Sequence, residues 1–323
     1  MTTFPVQTDS VYGGLGAAGS AQAAANTFVP KLWADEILIQ REVNMVAANF
    51  FKRINFRGKK GDSIVIPFIS DLTAHQKTAT NPVTIQTNAE GQKTVVIDQH
   101  WEVSQLFEDV LMTQSRYDLR SEYTKKAAYG LARNLDSAIY TAILAALSST
   151  YKVIGGDGST AANTTTLNAT DLTDIGFRRM VQTLDDNLVP AEDRCLIIPP
   201  CQKNALLGID KFTLFQHFGN ANALQKGIFG EIYGIPVRIS TNCPSATSTD
   251  NKSYRVGFLA HKDAICTAMQ MDVRVQAQYK QEYLGTLVTS DMLYGIKALR
   301  TDDADTTGSN YRKSHIVAFY VPA

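Results

Sequence analysis

Residues 115–149 read SRYDLRSEYTKKAAYGLARNLDSAIYTAILAALSS. The stretch has no proline and a single glycine, Gly130, among strong helix formers, and Ser115 with Asp118 three residues on offers a capping box. It predicts one unbroken helix running about 50 Å, far beyond the usual three or four turns. Leu119, Tyr123, Ala127, Leu131, Leu135, Ile139, Ile143 and Leu147 recur at every fourth residue. At about 100° per residue that stripe drifts by about 40° per step, so the two ends of the rod must bury different faces. A coiled coil needs alternating steps of three and four, which are absent. Arg133 and Asp136 interrupt the apolar character near the middle, and no apolar run reaches the length of a membrane span. A long core helix in an α/β domain is the plain alternative.

The chain of 323 residues is long enough for one large or two ordinary domains. Lys plus Arg and Asp plus Glu are 31 each, which removes a global basic signature for nucleic acid. A neutral particle can still enclose DNA whose charge is carried by small counterions. Hydrophobic content of 44% is that of a globular protein and argues against disorder and against a membrane protein. Cys195, Cys201, Cys243 and Cys266 form no CxxC pair and read as small core residues of a reducing compartment, with no metal site. MTTFPVQTDS at the start has neither a basic nor an apolar region, so no signal peptide is expected, and the sequons at Asn163, Asn168 and Asn251 are chance matches.

Residues 1–29 are rich in Ala, Gly, Ser, Thr and Gln and read as an extended arm. Their GxGxxG at Gly14, Gly16 and Gly19 lacks a preceding strand and carries no dinucleotide reading. Pro30 opens a predicted helix over 30–50, with Asp35 and Glu36 in its early turns. RGKKGDSIVIPFI gives a basic turn and a strand whose Pro67 favours an edge or bulge. Residues 70–91 are almost wholly polar, and QKTVVIDQHWEVSQLFEDVL returns as a second strand ending in an acidic turn. Two strands around a long polar excursion describe a projecting hairpin that would be poorly stable alone.

After the long helix, VIGGDGSTAANTTTLNAT reads as a linker and the clearest internal boundary. Asp171 or Thr170 is placed to cap DLTDIGFRRMVQTLDDNL, RCLIIPP is a short buried strand, CQKNALLGI a helix and GIPVRIS a strand, the pattern of a small α/β domain. The end is strand-rich: 254–259 reads as a central strand, 272–278 alternates with period two, 287–299 is long enough to cross a sheet, and HIVAFYVPA closes the chain.

Catalytic chemistry finds no support. His75, His100, His217, His261 and His315 lie in five segments without a metal motif, and there is neither a GxSxG elbow nor a GxxxxGK loop. Asp98, His100 and Glu102 are spaced to share a strand face, which reads as a solvated face before it reads as a carboxylate and imidazole pair. Glu108 and Asp109 end that strand, and Arg178 with Arg179 are read as surface ion pairing before phosphate contact. The expected inventory is therefore no catalytic residue, no cofactor and no metal. An arm, a hairpin and a rod that cannot bury their surfaces alone imply an assembly.

The order of these parts resembles the major capsid protein of tailed bacteriophages, the Hong Kong 97-type family. PKLWADEIL in the arm, GDSIVIPF and VVIDQHWEVSQLFEDV around the hairpin, VPAEDRCLIIPP and GIPVRIS, then VGFLAHKDAI and LYGIKALR, carry the likeness in sequence. The resemblance implies an α+β fold. Its parts are an N-terminal arm with a helix (1–53), an extended loop (54–103), a spine-helix region of the peripheral domain (104–150), an α/β axial domain (151–265), and peripheral strands with a tail (266–323). In it, 70–91 lies over an adjacent subunit, 1–29 latches onto neighbours, and 212–230 approaches the capsomer axis. Two departures stand out: no long scaffolding extension precedes the arm, which points to a separate scaffolding protein, and the tail 301–323 is long. Some members cross-link through a loop lysine, and Lys77 is of that kind, although nothing singles out its partner.

The resemblance implies a non-enzymatic shell protein of a virion, assembled in the bacterial host cytoplasm into hexamers and pentamers. The icosahedral shell would enclose double-stranded DNA without sequence-specific binding and without a membrane. Scaffold and portal are implied partners, and a decoration protein is left open. An encapsulin-type compartment is the first rival and predicts packaged enzyme in place of a genome. An α/β enzyme is the second, and predicts Asp98, Glu102 and Glu108 in one pocket.

Overall fold

In the computed structural model the stretch around which the chain was read forms one helix, α2, over Leu119–Ala146, preceded by the single helical turn α1 at Ala47–Phe50. The structure describes residues 45–56, 60–69, 74–80, 82–85, 90–110, 119–209, 230–300 and 314–323. The arm at 1–29, all but the last turns of the helix expected at 30–50, the capping box, the loop at 212–229 and His217 lie outside the described residues, as do 301–313 of the tail.

At 28 residues α2 is about 42 Å long. Its burial is graded along the stripe. Leu131, Leu135, Ile139, Ile143 and Leu147 are core residues, whereas Tyr123 is 42% exposed. The Tyr123 ring lies 5.7 Å from Phe107, and the Tyr140 ring stacks at 5.3 Å on Phe258. On an ideal helix those two tyrosines point about 100° apart around the axis. The two halves of α2 thus make contact with two different sheets.

In chain order the strands are β1 (Lys52–Asn55), β2 (Ser63–Ile69), β3 (Glu90–Val96), β4 (Gln99–Glu108), β5 (Lys152–Ile154), β6 (Arg194–Ile198) and β7 (Glu231–Ile232). They continue with β8 (Ile235–Ile239), β9 (Ser245–Thr247), β10 (Ser253–His261), β11 (Ile265–Lys280), β12 (Gly285–Ala298) and β13 (Ile316–Pro322). Helices α3 (Asp174–Asp186) and α4 (Pro200–Leu207) flank β6. The first sheet runs β1-β11-β12-β4, with β1 parallel to β11 and the other pairs antiparallel. The second runs β5-β13-β10-β6-β8-β7 with β9 beside β10, and β2 and β3 form a separate ribbon. α2 packs over β12 between β11 and β4, while Tyr140 carries its C-terminal half onto β10. That stack contributes about 1 kcal/mol beyond the area it buries.

Several expectations change. The run 92–111 is two strands, not one: β3 pairs with β2 and β4 pairs with β12. The break falls at Ile97, whose N–H donates to the Asp62 carbonyl at 2.8 Å. Alternation within a strand carries no mark of a change of sheet. β1 was not foreseen, because KRIN is short and polar and becomes a strand only by pairing with Cys266–Met269. The cap of α3 is Thr173, whose Oγ1 accepts from the Gly176 N–H at 3.1 Å; Thr170 instead accepts from the Gly156 N–H, and Asp171 from Gln202. The closing strand β13 stands between β5 and β10 in the larger sheet, not with β11 and β12 as the expected grouping of 266–323 has it.

The expected linker at 153–170 is packed. β5 pairs with β13, the Gly155 N–H donates to Tyr320, and the glycines meet α3 at backbone distance. A Cβ on Gly176 would lie 2.0 Å from the Gly155 carbonyl oxygen. The glycines that look like spacers in sequence are there to let a loop and a helix touch.

Gly176→Ala should therefore destabilise the subunit by about 1–3 kcal/mol. Gly130→Ala, exposed in α2 with nothing within 4 Å of the new Cβ, should stabilise it by about 0.5–1 kcal/mol. Urea unfolding of both variants measures the two signs.

Candidate functional site

The residues that carried the enzyme alternative do not converge. Asp98 is exposed in the turn before β4, Glu102 accepts from Ser104 on its own strand at 3.1 Å, and Glu108 is exposed at the end of β4. The crevice beneath the N-terminal half of α2 is lined by Val103, Phe107, Tyr123, Ala127 and Val288 and contains no carboxylate. Arg178 pairs with Asp174 at 3.0 Å, and Arg179 donates to Asp157 and Ser159, so both guanidiniums serve their own loop and helix. The four cysteines are free thiols, and burial pushes Cys195 and Cys266 up to about 11 and Cys243 up to about 12. At those values Cys195, Cys243 and Cys266 are not nucleophiles near neutral pH. Among the described residues no cluster of His, Cys, Asp and Glu has the arrangement of a metal site, and no helix is long and apolar enough to cross a membrane. Lys77 and His75 are exposed in the loop at 74–80.

His100 finds a partner that sequence spacing does not reveal. Its Nε2 lies 3.3 Å from Asp291 on β12, and Arg274 on β11 donates to both oxygens of the same carboxylate at 3.0 and 2.7 Å. The Arg274 bonds, then His100, hold the Asp291 carboxyl below the usual carboxylate range. One carboxylate thus pins three adjacent strands in register. The bidentate fork fixes orientation as well as distance.

The surface that lacks an explanation within the subunit belongs to the β11–β12 hairpin. Among the described residues β1 covers only Cys266–Met269 of the outer edge of β11. Beyond it the alternation read at 272–278 is present, but its apolar side is not buried: Val273 and Val275 are 41% and 48% exposed. Tyr279, Tyr283 and Leu284 continue this apolar surface to the tip, where Leu284 holds a left-handed φ of 44°. On the ribbon side, Val83 and Ile85 alternate in Pro82–Ile85 at 64% and 89% exposure. A long edge strand with an apolar face is a template for pairing and is left so only where something covers it.

A second feature was missed by reading the histidines as scattered. His261 ends β10 and His315 precedes β13, and their rings meet edge to face at 5.7 Å with both side chains buried. Here the chain leaves β10 of one sheet for β11 of the other through Lys262–Ala264. The His261 N–H donates to the His315 carbonyl, and the His315 N–H to that of Arg300. His261 Nδ1 accepts from the Asp263 N–H at 3.2 Å, while His315 Nδ1 is buried without a partner. Arg300 and Arg194 press a proton away and Asp263 attracts one, but burial dominates: His261 is lowered and His315 falls to about 4. Register pairing of two strands far apart in sequence was the only available signal.

A family model described as phage capsid protein matches residues 105–322 of the chain. No curated protein matches. Among solved structures, one from Mycobacterium phage Che8 is 22% identical, covering 91% of this chain and 97% of its own, with a TM-score of 0.70. The capsid of cyanophage P-SCSP1u is 19% identical over 92% and 94%, with a TM-score of 0.72. The head structure of Helicobacter pylori bacteriophage KHP40 is 13% identical over 99% of both chains, with a TM-score of 0.70.

The histidine seam predicts an acid limb of stability. His315 is lowered in the folded state from 6.5 to about 4, so the unfolded chain binds more protons between those values. Stability is full above about pH 6.5 and falls as the pH drops towards 4, by about 2–3 kcal/mol for this group. Denaturant unfolding from pH 7.5 to 4 should show that loss, and His315→Phe should remove this part of it.

Proposed function

The chain belongs to the phage capsid protein family and has the α+β Hong Kong 97-type fold, and from that premise we propose how this major capsid protein builds its shell. The observation that carries the reading is the apolar surface along the β11–β12 hairpin, from Val273 to Leu284, which the described residues of its own subunit leave exposed. A second copy is the natural cover, since every copy in a closed shell meets its neighbours through the same surfaces. Many modest contacts then add by multivalency, and no single one has to be strong.

In this proposal α2 and the four-stranded sheet form the peripheral domain, with α2 as its spine, and the larger sheet with α3 and α4 forms the axial domain. The ribbon of β2 and β3, carrying the loop through Pro82–Ile85, is the extended loop that lies on a neighbouring copy. Its base is fixed to the body by Val95 and Ile97 packed with Ala268. Copies assemble as hexamers and pentamers of an icosahedral shell around double-stranded DNA, in the host cytoplasm, with a separate scaffolding protein and a portal. The chain performs no catalysis in this reading. An enzyme-filled bacterial compartment, the same fold in another role, has no observation in its favour.

Two changes separate folding from assembly. Replacing 70–91 by a two-residue turn should leave the body folded and abolish stable shells. Leu284→Gly should relieve about 1 kcal/mol of left-handed strain and leave the thermal midpoint equal or slightly raised. The same variant should lower particle yield severalfold in sedimentation. Wild-type yield from both variants would remove the support for these surfaces as subunit contacts.

A further inference from the structure

Asp136 is fully buried on α2, beside the apolar stripe. A carboxylate in a core is costly unless donors meet its oxygens. Among the described residues no cation pairs with it. Its Oδ1 accepts from the Ala48 backbone N–H at 2.9 Å, and its Oδ2 accepts from Asn242 Nδ2 at 3.0 Å. The first of these bonds solves a local problem of α1. The N-cap of that turn is Val46, whose side chain cannot accept, so the orphan donor of Ala48 is capped from 88 residues away. Asn242, just beyond β8, also places its amide 3.8 Å from the Met45 sulfur, and its own N–H donates to Ser240 Oγ at 3.2 Å. Around this polar knot Val46, Ala47 and Phe51 are buried in the main core.

Three segments distant in sequence therefore converge on one carboxylate: the chain entering at Met45, the middle of α2, and the turn after β8. An apolar side chain at 136 would fill the volume but could not hold a direction. We propose that Asp136 is a positioning residue that latches the segment 45–51 onto α2 and the turn after β8, and that assembly of the subunit into particles depends on this latch. The inference rests on the capsid reading for its consequence in assembly, but not for the latch itself.

The test uses the full chain and two substitutions. Asp136→Asn keeps an oxygen for Ala48, and the Asn242 amide can turn to offer its own oxygen to the new amide group, so both bonds survive. Asp136→Leu keeps the branched outline with somewhat larger methyl groups and loses both. Hydrogen exchange of the Ala48 amide, read on unassembled subunits, should quicken by about tenfold or more in Asp136→Leu and stay near wild type in Asp136→Asn. Particle yield should follow the same order. A folded Asp136→Leu subunit with wild-type exchange, or one that assembles normally, overturns the proposal. So does an Asp136→Asn variant that fails to assemble while its Ala48 amide stays protected. Should Asp136→Leu not fold, Asn242→Ala decides: faster Ala48 exchange with reduced yield supports the latch, and no change in either overturns it. Absence of particles from the wild type would count against the capsid reading, while the exchange result would still decide the latch.

Discussion

One helix is gripped by two sheets around a single continuous core. Its apolar residues recur every fourth position, which no single flat surface can bury over 28 residues. The chain resolves this by laying the Tyr123 end on β4 and β12 and the Tyr140 end against β10. Both sheets therefore grip the same rod. The buried carboxylate of Asp136 ties the same rod to Ala48 and to Asn242, and the paired His261 and His315 sit where the chain leaves β10 for β11.

Much of this architecture was legible. The rod, the buried strand RCLIIPP, the α4 helix and the central position of Tyr254–Leu259 all rest on local rules of period and composition, and each is present. What escaped is what depends on partners far away in sequence. The polar tetrapeptide KRIN is a strand only because β11 offers Cys266–Met269. The glycines at 155, 156 and 158 look like a linker until Gly176 is set against them. His100 appears to face Asp98 or Glu102 until β12 supplies Asp291. The same limit governs Asp136: in sequence it is a charged residue beside an apolar stripe, and only Ala48 and Asn242 make it a junction.

The exposed face of the β11–β12 hairpin has the opposite character. Its alternation was readable and its strand is real, yet the described residues of the subunit leave the apolar side uncovered. Strand edges of this kind are a hazard in a monomer and a resource in a shell, where the next copy covers them. The register of the hairpin is meanwhile held stiffly by Arg274, Asp291 and His100, so the apolar surface is presented on a fixed frame. Rigid presentation of many weak contacts suits an assembly that must form the same closed object repeatedly.

In this reading the fold completes itself only through copies of itself. Cryo-electron microscopy of the protein produced together with its scaffold tests it most directly. The account predicts closed shells in which α2 lies in the wall and the tip around Tyr283 and Leu284 is covered by a neighbouring copy. Persistent monomers, or shells in which Val273, Val275 and Leu284 remain in solvent, would contradict it.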